Sequence, residues 1–153
     1  MDISQQGIEF IKGFEQFVPH TYEDAVGVAT IGYGSTKMED GSEPKPGQTI
    51  TEPDAVALLL KEMEFIISEI RPSITATLNQ NQFDAICSFA YNVGAGGFKG
   101  STLLRTINHD PTLPDIRYWF GVWNKGHVNG KVVELPGLTR RRKAEADLYF
   151  KTL

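Results

Sequence analysis

Phe14-Glu15-Gln16-Phe17-Val18-Pro19-His20-Thr21-Tyr22-Glu23-Asp24-Ala25-Val26-Gly27-Val28-Ala29-Thr30-Ile31-Gly32-Tyr33-Gly34 is the stretch on which the reading of this chain turns. It carries a carboxylate at Glu15, a second at Asp24 and a hydroxyl at Thr30, with eight residues between the first two and five between the second pair. Upstream, Ser4 to Phe14 reads as a helix, because Ile3, Gly7, Phe10, Ile11 and Phe14 fall on one stripe. Glu15 then stands in the last helical turn. There the negative end of the helix dipole opposes a further negative charge, and Phe14 and Phe17 flank the side chain. Both effects raise a carboxyl pKa, which suits a general acid. Past Pro19 the chain turns into a polar segment where Asp24 is expected to stay ionised. Val28 to Tyr33 alternates with period two and reads as a strand. Thr30 shares its face with Val28 and Gly32. The missing side chain of Gly32 would leave room for a substrate there, while the Thr30 hydroxyl helps to hold a water. Two carboxylates in unlike surroundings are what glycoside hydrolysis needs, one to protonate the leaving oxygen and one to act on the opposite face of the sugar. A glutamate at a helix end and an aspartate beside a glutamate also fit a solvated helix terminus and a loop, so the pattern alone leaves a purely structural reading open.

The set Glu15, Asp24 and Thr30 followed by Ile31-Gly32-Tyr33-Gly34 resembles the catalytic segment of phage-type lysozymes, glycoside hydrolase family twenty-four. The resemblance continues through Tyr91-Asn92-Val93-Gly94 with Phe98 and Ser101-Thr102-Leu103-Leu104. It returns in Leu135-Pro136-Gly137-Leu138 with Arg141-Arg142 and Ala144-Glu145-Ala146. It covers nearly the whole chain in order and is closest to the short endolysins. Gln16 departs from the glycine frequent after the acid, and Ser35 from the histidine that often follows Gly-Tyr-Gly. The resemblance implies an α+β lysozyme-like fold with a small sheet-containing lobe, a bridging helix and a larger helical lobe, over about residues 1–50, 51–76 and 77–153. It implies hydrolysis of the β-1,4 bond between N-acetylmuramic acid and N-acetylglucosamine of peptidoglycan. Glu15 would be the acid, and Asp24 with Thr30 would hold the water. An inverting pair would lie about 6.5–9.5 Å apart. Gly32, Tyr91, Asn92 and Arg141 are the expected substrate-binding residues. A lytic transglycosylase and a non-catalytic peptidoglycan-binding module are the rival readings.

The 153 residues suffice for one compact domain with a real core. A formal net charge of −4 argues against a nucleic-acid binder. Any attraction to an anionic wall polymer must then be local, and Arg140-Arg141-Arg142-Lys143 is the obvious source. The single cysteine, Cys87, excludes an intrachain disulfide and is expected to pack as a small apolar group. The three histidines, His20, His109 and His127, lack ligand spacing, so no metal and no cofactor is expected. No signal peptide, signal anchor or membrane-spanning run is visible in the sequence. The expectation is a monomer that collects in the host cytoplasm and acts on the periplasmic wall. The family implies a separate holin-type pore protein as a functional partner.

Along the rest of the chain, Asp40-Gly41 reads as a turn and Gln48 to Ile50 as a returning strand, giving a small sheet over about residues 25–50. Thr51-Glu52-Pro53-Asp54 starts a helix that ends before Pro72, with Val56, Leu59, Leu60, Met63, Ile66, Ile67 and Ile70 as its apolar stripe. Asn79 to Tyr91 reads as a buried helix ended by a flexible connection at Gly94, Gly96 and Gly97. Ser101 caps a helix over 102–108 that Pro111 ends, and Thr112 with Asp115 is read as the cap of a further one through Trp123. Trp119, Phe120 and Trp123 are expected to pack as core. Asn129-Gly130 reads as a hairpin turn, and the last helix reaches about Lys151. On that helix Arg141 falls in phase with Leu138, Ala144 and Leu148. A buried arginine needs a carboxylate, and Glu15 is the candidate partner, with Arg140 as the alternative arginine.

Overall fold

A computed structural model describes all residues, Met1 to Leu153. Its contacts divide the chain into two compact units, Glu9–Phe65 and Met1–Ile8 with Ile66–Leu153. The architecture is α+β, with seven α-helices and two two-stranded antiparallel sheets. One unit boundary falls within the first helix, α1 (Gln5–Glu15), and the other within α2 (Glu52–Ile70).

In the unit 9–65, β1 (Val18–Glu23) pairs with β2 (Ala29–Gly32), with Tyr22 opposite Thr30 and Glu23 opposite Ala29. The β1 segment read as a turn in the sequence, because Pro19 cannot donate to a ladder and its neighbours are polar. Pro19 sits at the strand's start, and its carbonyl accepts from the Ile50 amide. The returning segment at Gln48 to Ile50 does come back, as a bridge from Thr49 to His20. Gly41, at φ +85°, completes the expected Asp40-Gly41 turn, closed by the Met38 amide on the Ser42 carbonyl and the Gly41 amide on the Met38 carbonyl. α2 opens on Glu52 and Asp54, which favour a helix's positive end. Its buried residues Ala55, Leu58, Leu59 and Met63 face inward. Leu60, expected on that stripe, is exposed, and Leu58 takes its place.

In the other unit, α3 (Gln80–Val93) starts with a reciprocal cap, in which the Asn79 side chain accepts from the Gln82 amide and Gln82 accepts from that of Asn79. Asn81 and every residue from Phe83 to Ala90 are buried, so this helix is wrapped on nearly all sides. Cys87 lies among them, and burial pushes its thiol pKa up. Gly94 ends α3 at φ +98°. Gly96 and Gly97 do not form the flexible connection expected of them but lie within α4 (Ala95–Lys99). A Cβ on Gly97 would stand 2.7 Å from Val93 Cγ1, so a glycine is needed for α4 to fold back this closely. α5 (Thr102–His109) is capped by the Ser101 hydroxyl, which accepts from the Leu104 amide. α6 (Ile116–Gly121) is shorter than expected, and the Asp115 side chain makes no cap bond to it. Phe89 anchors the core, with the rings of Phe98, Phe120 and Trp123 edge-on at 5.7–6.0 Å. Phe120 and Trp123 thus pack as the sequence suggested, whereas Trp119 is half-buried with its ring against the exposed Tyr118. The hairpin of β3 (Lys125–Val128) and β4 (Lys131–Glu134) turns on Asn129 and Gly130, both at positive φ.

The last helix, α7 (Pro136–Tyr149), corrects the reading of the basic run. Arg141 and Arg142 are both buried, 5% and 1% exposed, around Glu145, which is fully buried. Glu145 Oε1 accepts from Arg141 Nε at 3.1 Å, Arg142 Nη2 at 3.0 Å and Ser88 Oγ at 2.8 Å. Arg142 Nε stands 2.8 Å from the other carboxylate oxygen. The four-residue run is therefore no solvated patch. Its exposed members are Arg140 and Lys143, and Lys143 pairs with Asp147. The carboxylate serving Arg141 from its own helix is Glu145, one turn on.

Candidate active site

Glu15 is the last residue of α1. The helix stops there because Gln16 turns to φ +58°, a left-handed conformation that closes the final turn with its amide on the Lys12 carbonyl. A side chain at such a position is strained, and Gln16 stands immediately after the candidate acid.

Asp24 opens the loop between β1 and β2. Its Oδ1 accepts from the amides of Val26 and Val28, each at 2.9 Å. Its amide bonds to the Val28 carbonyl and its carbonyl accepts from Gly27, which supplies the positive φ the turn requires. Both backbone bonds to the carboxylate go to Oδ1, so the loop fixes the side chain's direction and uses one of its two oxygens. Thr30 is buried, and its hydroxyl donates to the Val28 carbonyl at 2.8 Å. Because that hydrogen is committed, Thr30 can meet a water only as an acceptor.

The turn after β2 is tight, with Ile31 and Ser35 exchanging both backbone hydrogen bonds. It needs positive φ at Gly34, +80°, and this turn carries the Gly34 backbone against the candidate acid. A Cβ there would lie 2.8 Å from Glu15 Oε2. Gly34 therefore suits the turn by conformation, and a side chain there would displace the Glu15 carboxylate. Gly32, by contrast, is buried, and a Cβ on it would stand 3.0 Å from Ala55 Cβ. The room that the sequence reserved for substrate at Gly32 is filled by α2.

Tyr22 is the residue the sequence reading missed. It is half-buried and stands opposite Thr30 in the strand register. Burial raises its phenol pKa, and the charges of Glu15 and Asp24 raise it further. One side chain thus stands opposite Thr30 and feels the charge of both carboxylates. The signal available in the sequence was an aromatic two positions before Asp24, visible only once 18–23 is read as a strand. Behind this set, Lys12 and the Tyr33 hydroxyl converge on Glu52 Oε1 at 3.1 and 2.9 Å, and these two contacts hold the Glu52 carboxyl below its usual range.

The remaining predicted residues lie in the helical unit. Tyr91 is half-buried near the end of α3, and Asn92 is exposed, its Oδ1 accepting from Arg142 Nη2 at 2.9 Å. Asn92, Val93, Val122, Trp123, Leu138 and Arg142 line a depression of about 330 Å³. Arg141 is buried against Glu145 and the Ser88 carbonyl. No group of three or more His, Cys, Asp or Glu side chains is placed to hold a metal ion.

A model of the family described as phage lysozyme matches residues 12–145. This chain belongs to the phage lysozyme family. It is 36% identical over 149 residues to an endolysin of Acyrthosiphon pisum secondary endosymbiont phage 1, covering 97% of this chain and 98% of that protein. It is also 38% identical over 130 residues to a SAR-endolysin of Bacteriophage PS119, 83% of this chain and 71% of that one. Among solved structures, an endolysin from Escherichia coli O157:H7 phage FAHEc1 superposes with a TM-score of 0.93 at 35% identity, over 100% of this chain and 96% of that one. The fold is the lysozyme-like α+β fold that the motifs implied. As a phage lysozyme the protein is a glycoside hydrolase of peptidoglycan degradation, and the stretch from Glu15 to Gly34 lies within the matched region. No helix is long and apolar enough to cross a membrane.

Proposed function

We propose that the protein is a muramidase that hydrolyses the β-1,4 bond between N-acetylmuramic acid and N-acetylglucosamine with inversion. Glu15 protonates the leaving glycosidic oxygen. Asp24 and Thr30 hold the attacking water on the opposite sugar face. The observation that carries this reading is the state of the Thr30 hydroxyl. With its hydrogen on the Val28 carbonyl, Thr30 accepts one proton of the water while Asp24 accepts the other. The water's lone pair is then left for the anomeric carbon, and Asp24 takes the proton released on attack. The backbone bonds on Asp24 Oδ1 keep that base in place without a moving part. Gly34 keeps clear the space that the Glu15 carboxylate occupies. Tyr91 and Asn92 are the residues of the helical unit assigned to the glycan. Arg141 acts as a positioning residue through Glu145 rather than as an exposed contact. In the cell, the enzyme works as a monomer that waits in the host cytoplasm and reaches the periplasmic wall through a separate holin-type pore.

The test is turbidity loss of Gram-negative cells expressing the protein, before and after chloroform, beside Glu15→Gln. We expect a stable culture until chloroform is added, then rapid clearing by the unaltered protein alone. Equal clearing by Glu15→Gln would remove Glu15 as the acid. Lysis without chloroform would remove the pore protein.

A further inference from the structure

Two half-buried strands place a phenol where the chemistry of a sugar-cleaving site has a use for a neutral donor. Tyr22 is the cross-strand partner of Thr30, and directly opposed residues in a sheet present their side chains on one face. Asp24 follows two residues later, held by its loop. Glu15 arrives from the end of α1 and is pinned against Gly34. The Tyr22 ring therefore has the proton donor, the water-holding carboxylate and the water-holding hydroxyl as neighbours. Its own hydroxyl makes no hydrogen bond to either carboxylate; their influence on it is through charge alone. Each of the other polar members has a protein partner or a packed neighbour: Thr30 has Val28, Asp24 has two amides, and Glu15 abuts Gly34. Beside the proton that Glu15 delivers to the leaving oxygen, Tyr22 is the member of this set with a donor to give.

We propose that the Tyr22 hydroxyl donates a hydrogen bond to the glycan, to an oxygen of the sugar ring whose anomeric carbon reacts. The inference rests on the assignment of Glu15 and Asp24 as acid and base. A phenol suits the place because it stays neutral. A cationic donor would pull the proton balance of the two carboxylates, whereas burial and the two negative charges raise the pKa of this hydroxyl and keep it neutral. Its ring meanwhile covers part of the strand pair and contributes to the fold without the hydroxyl.

That separation makes Tyr22→Phe the test, because it removes the donor and leaves the packing. Rates on purified peptidoglycan would be measured for the unaltered enzyme, Tyr22→Phe and Glu15→Gln, with melting temperatures and pH profiles for each. A neutral hydrogen bond made to the substrate is worth about tenfold in kcat/KM. We expect that loss in Tyr22→Phe with an unchanged melting temperature and unmoved pH limbs, while Glu15→Gln is inactive. A Tyr22→Phe enzyme as fast as the unaltered one, beside an inactive Glu15→Gln, overturns the substrate contact and leaves the acid assignment standing. A rate loss that tracks a fall in melting temperature makes Tyr22 structural and overturns it too. Displaced pH limbs overturn it in favour of tuning the carboxylates. An active Glu15→Gln removes the acid assignment and this inference with it.

Discussion

Glu145→Gln is the perturbation whose size the structure sets most firmly. The carboxylate is fully buried between two guanidiniums that are themselves 5% and 1% exposed; its Oε1 receives three donors at 2.8 to 3.1 Å, and Arg142 Nε stands 2.8 Å from Oε2. Glutamine keeps the volume and one acceptor oxygen. It replaces the second oxygen with an NH2 that faces the Arg142 Nε, and it leaves two buried positive charges without their anion. Breaking a buried ion pair from one side costs about 3–5 kcal/mol. Arg142 retains the Asn92 side chain and the face of Phe89, 5.0 Å from its guanidinium, and Arg141 retains the Ser88 carbonyl. The lower half of that range, about 3–4 kcal/mol, is therefore the expected loss. In a protein of this length each kcal/mol moves the melting temperature by about 2–4 °C, so thermal unfolding followed by circular dichroism should shift down by about 6–16 °C. A melting temperature within two degrees of the unaltered protein, at neutral pH, would refute the reasoning. It would mean that the arginines find other anions or that the network is not closed in solution.

Gly34→Ala should do two separable things. It should cost about 1–2 kcal/mol of stability for a side chain in the left-handed region. It should also push the Glu15 carboxylate aside, since the new Cβ would start 2.8 Å from Oε2, lowering kcat by about a hundredfold as expected of a displacement near 1 Å. Urea denaturation and initial rates read the two effects. Thr30→Val should abolish most turnover because it removes the acceptor for the water, while Thr30→Ser should keep much of it; equal rates for both would deny Thr30 its role. Burial raises the phenol pKa of Tyr22, Tyr33 and Tyr149. Above about pH 10 the unfolded chain then loses protons that the folded chain retains, and stability falls as pH rises further. A denaturation midpoint that stays flat from pH 9 to 11 would contradict this.

Much of the proposed site was legible because the proposed acid, base and hydroxyl sit within sixteen residues of one another, on elements with clear local signals. The end of α1, the alternation around Thr30 and the Asn129-Gly130 turn are set by short-range chemistry. What the sequence hid depended on contacts made at a distance. β1 was masked by Pro19 and by polar residues that a two-stranded sheet leaves in solvent. Gly32 looked like open space and proved to be a packing position, because only the fold says that Ala55 comes within 3.0 Å of where its Cβ would be. Gly96 and Gly97 looked like a flexible connection and lie within α4, Gly97 at its close approach to Val93 of α3. Arg141 was correctly placed inward by phase, but the phase argument did not name Glu145, which pairs with it from the same helix. The signal was present all the same: Glu145 stands three and four residues after Arg142 and Arg141, the spacing at which helix side chains meet. The missed Tyr22 followed directly from the missed strand.

The central claim, that a water held by Asp24 and Thr30 attacks opposite a proton delivered by Glu15, is tested most directly by proton NMR of the first reducing ends released from peptidoglycan. The account expects the α-anomer of N-acetylmuramic acid to appear before mutarotation sets in. First appearance of the β-anomer, or of a 1,6-anhydro end with no free anomer at all, would contradict it.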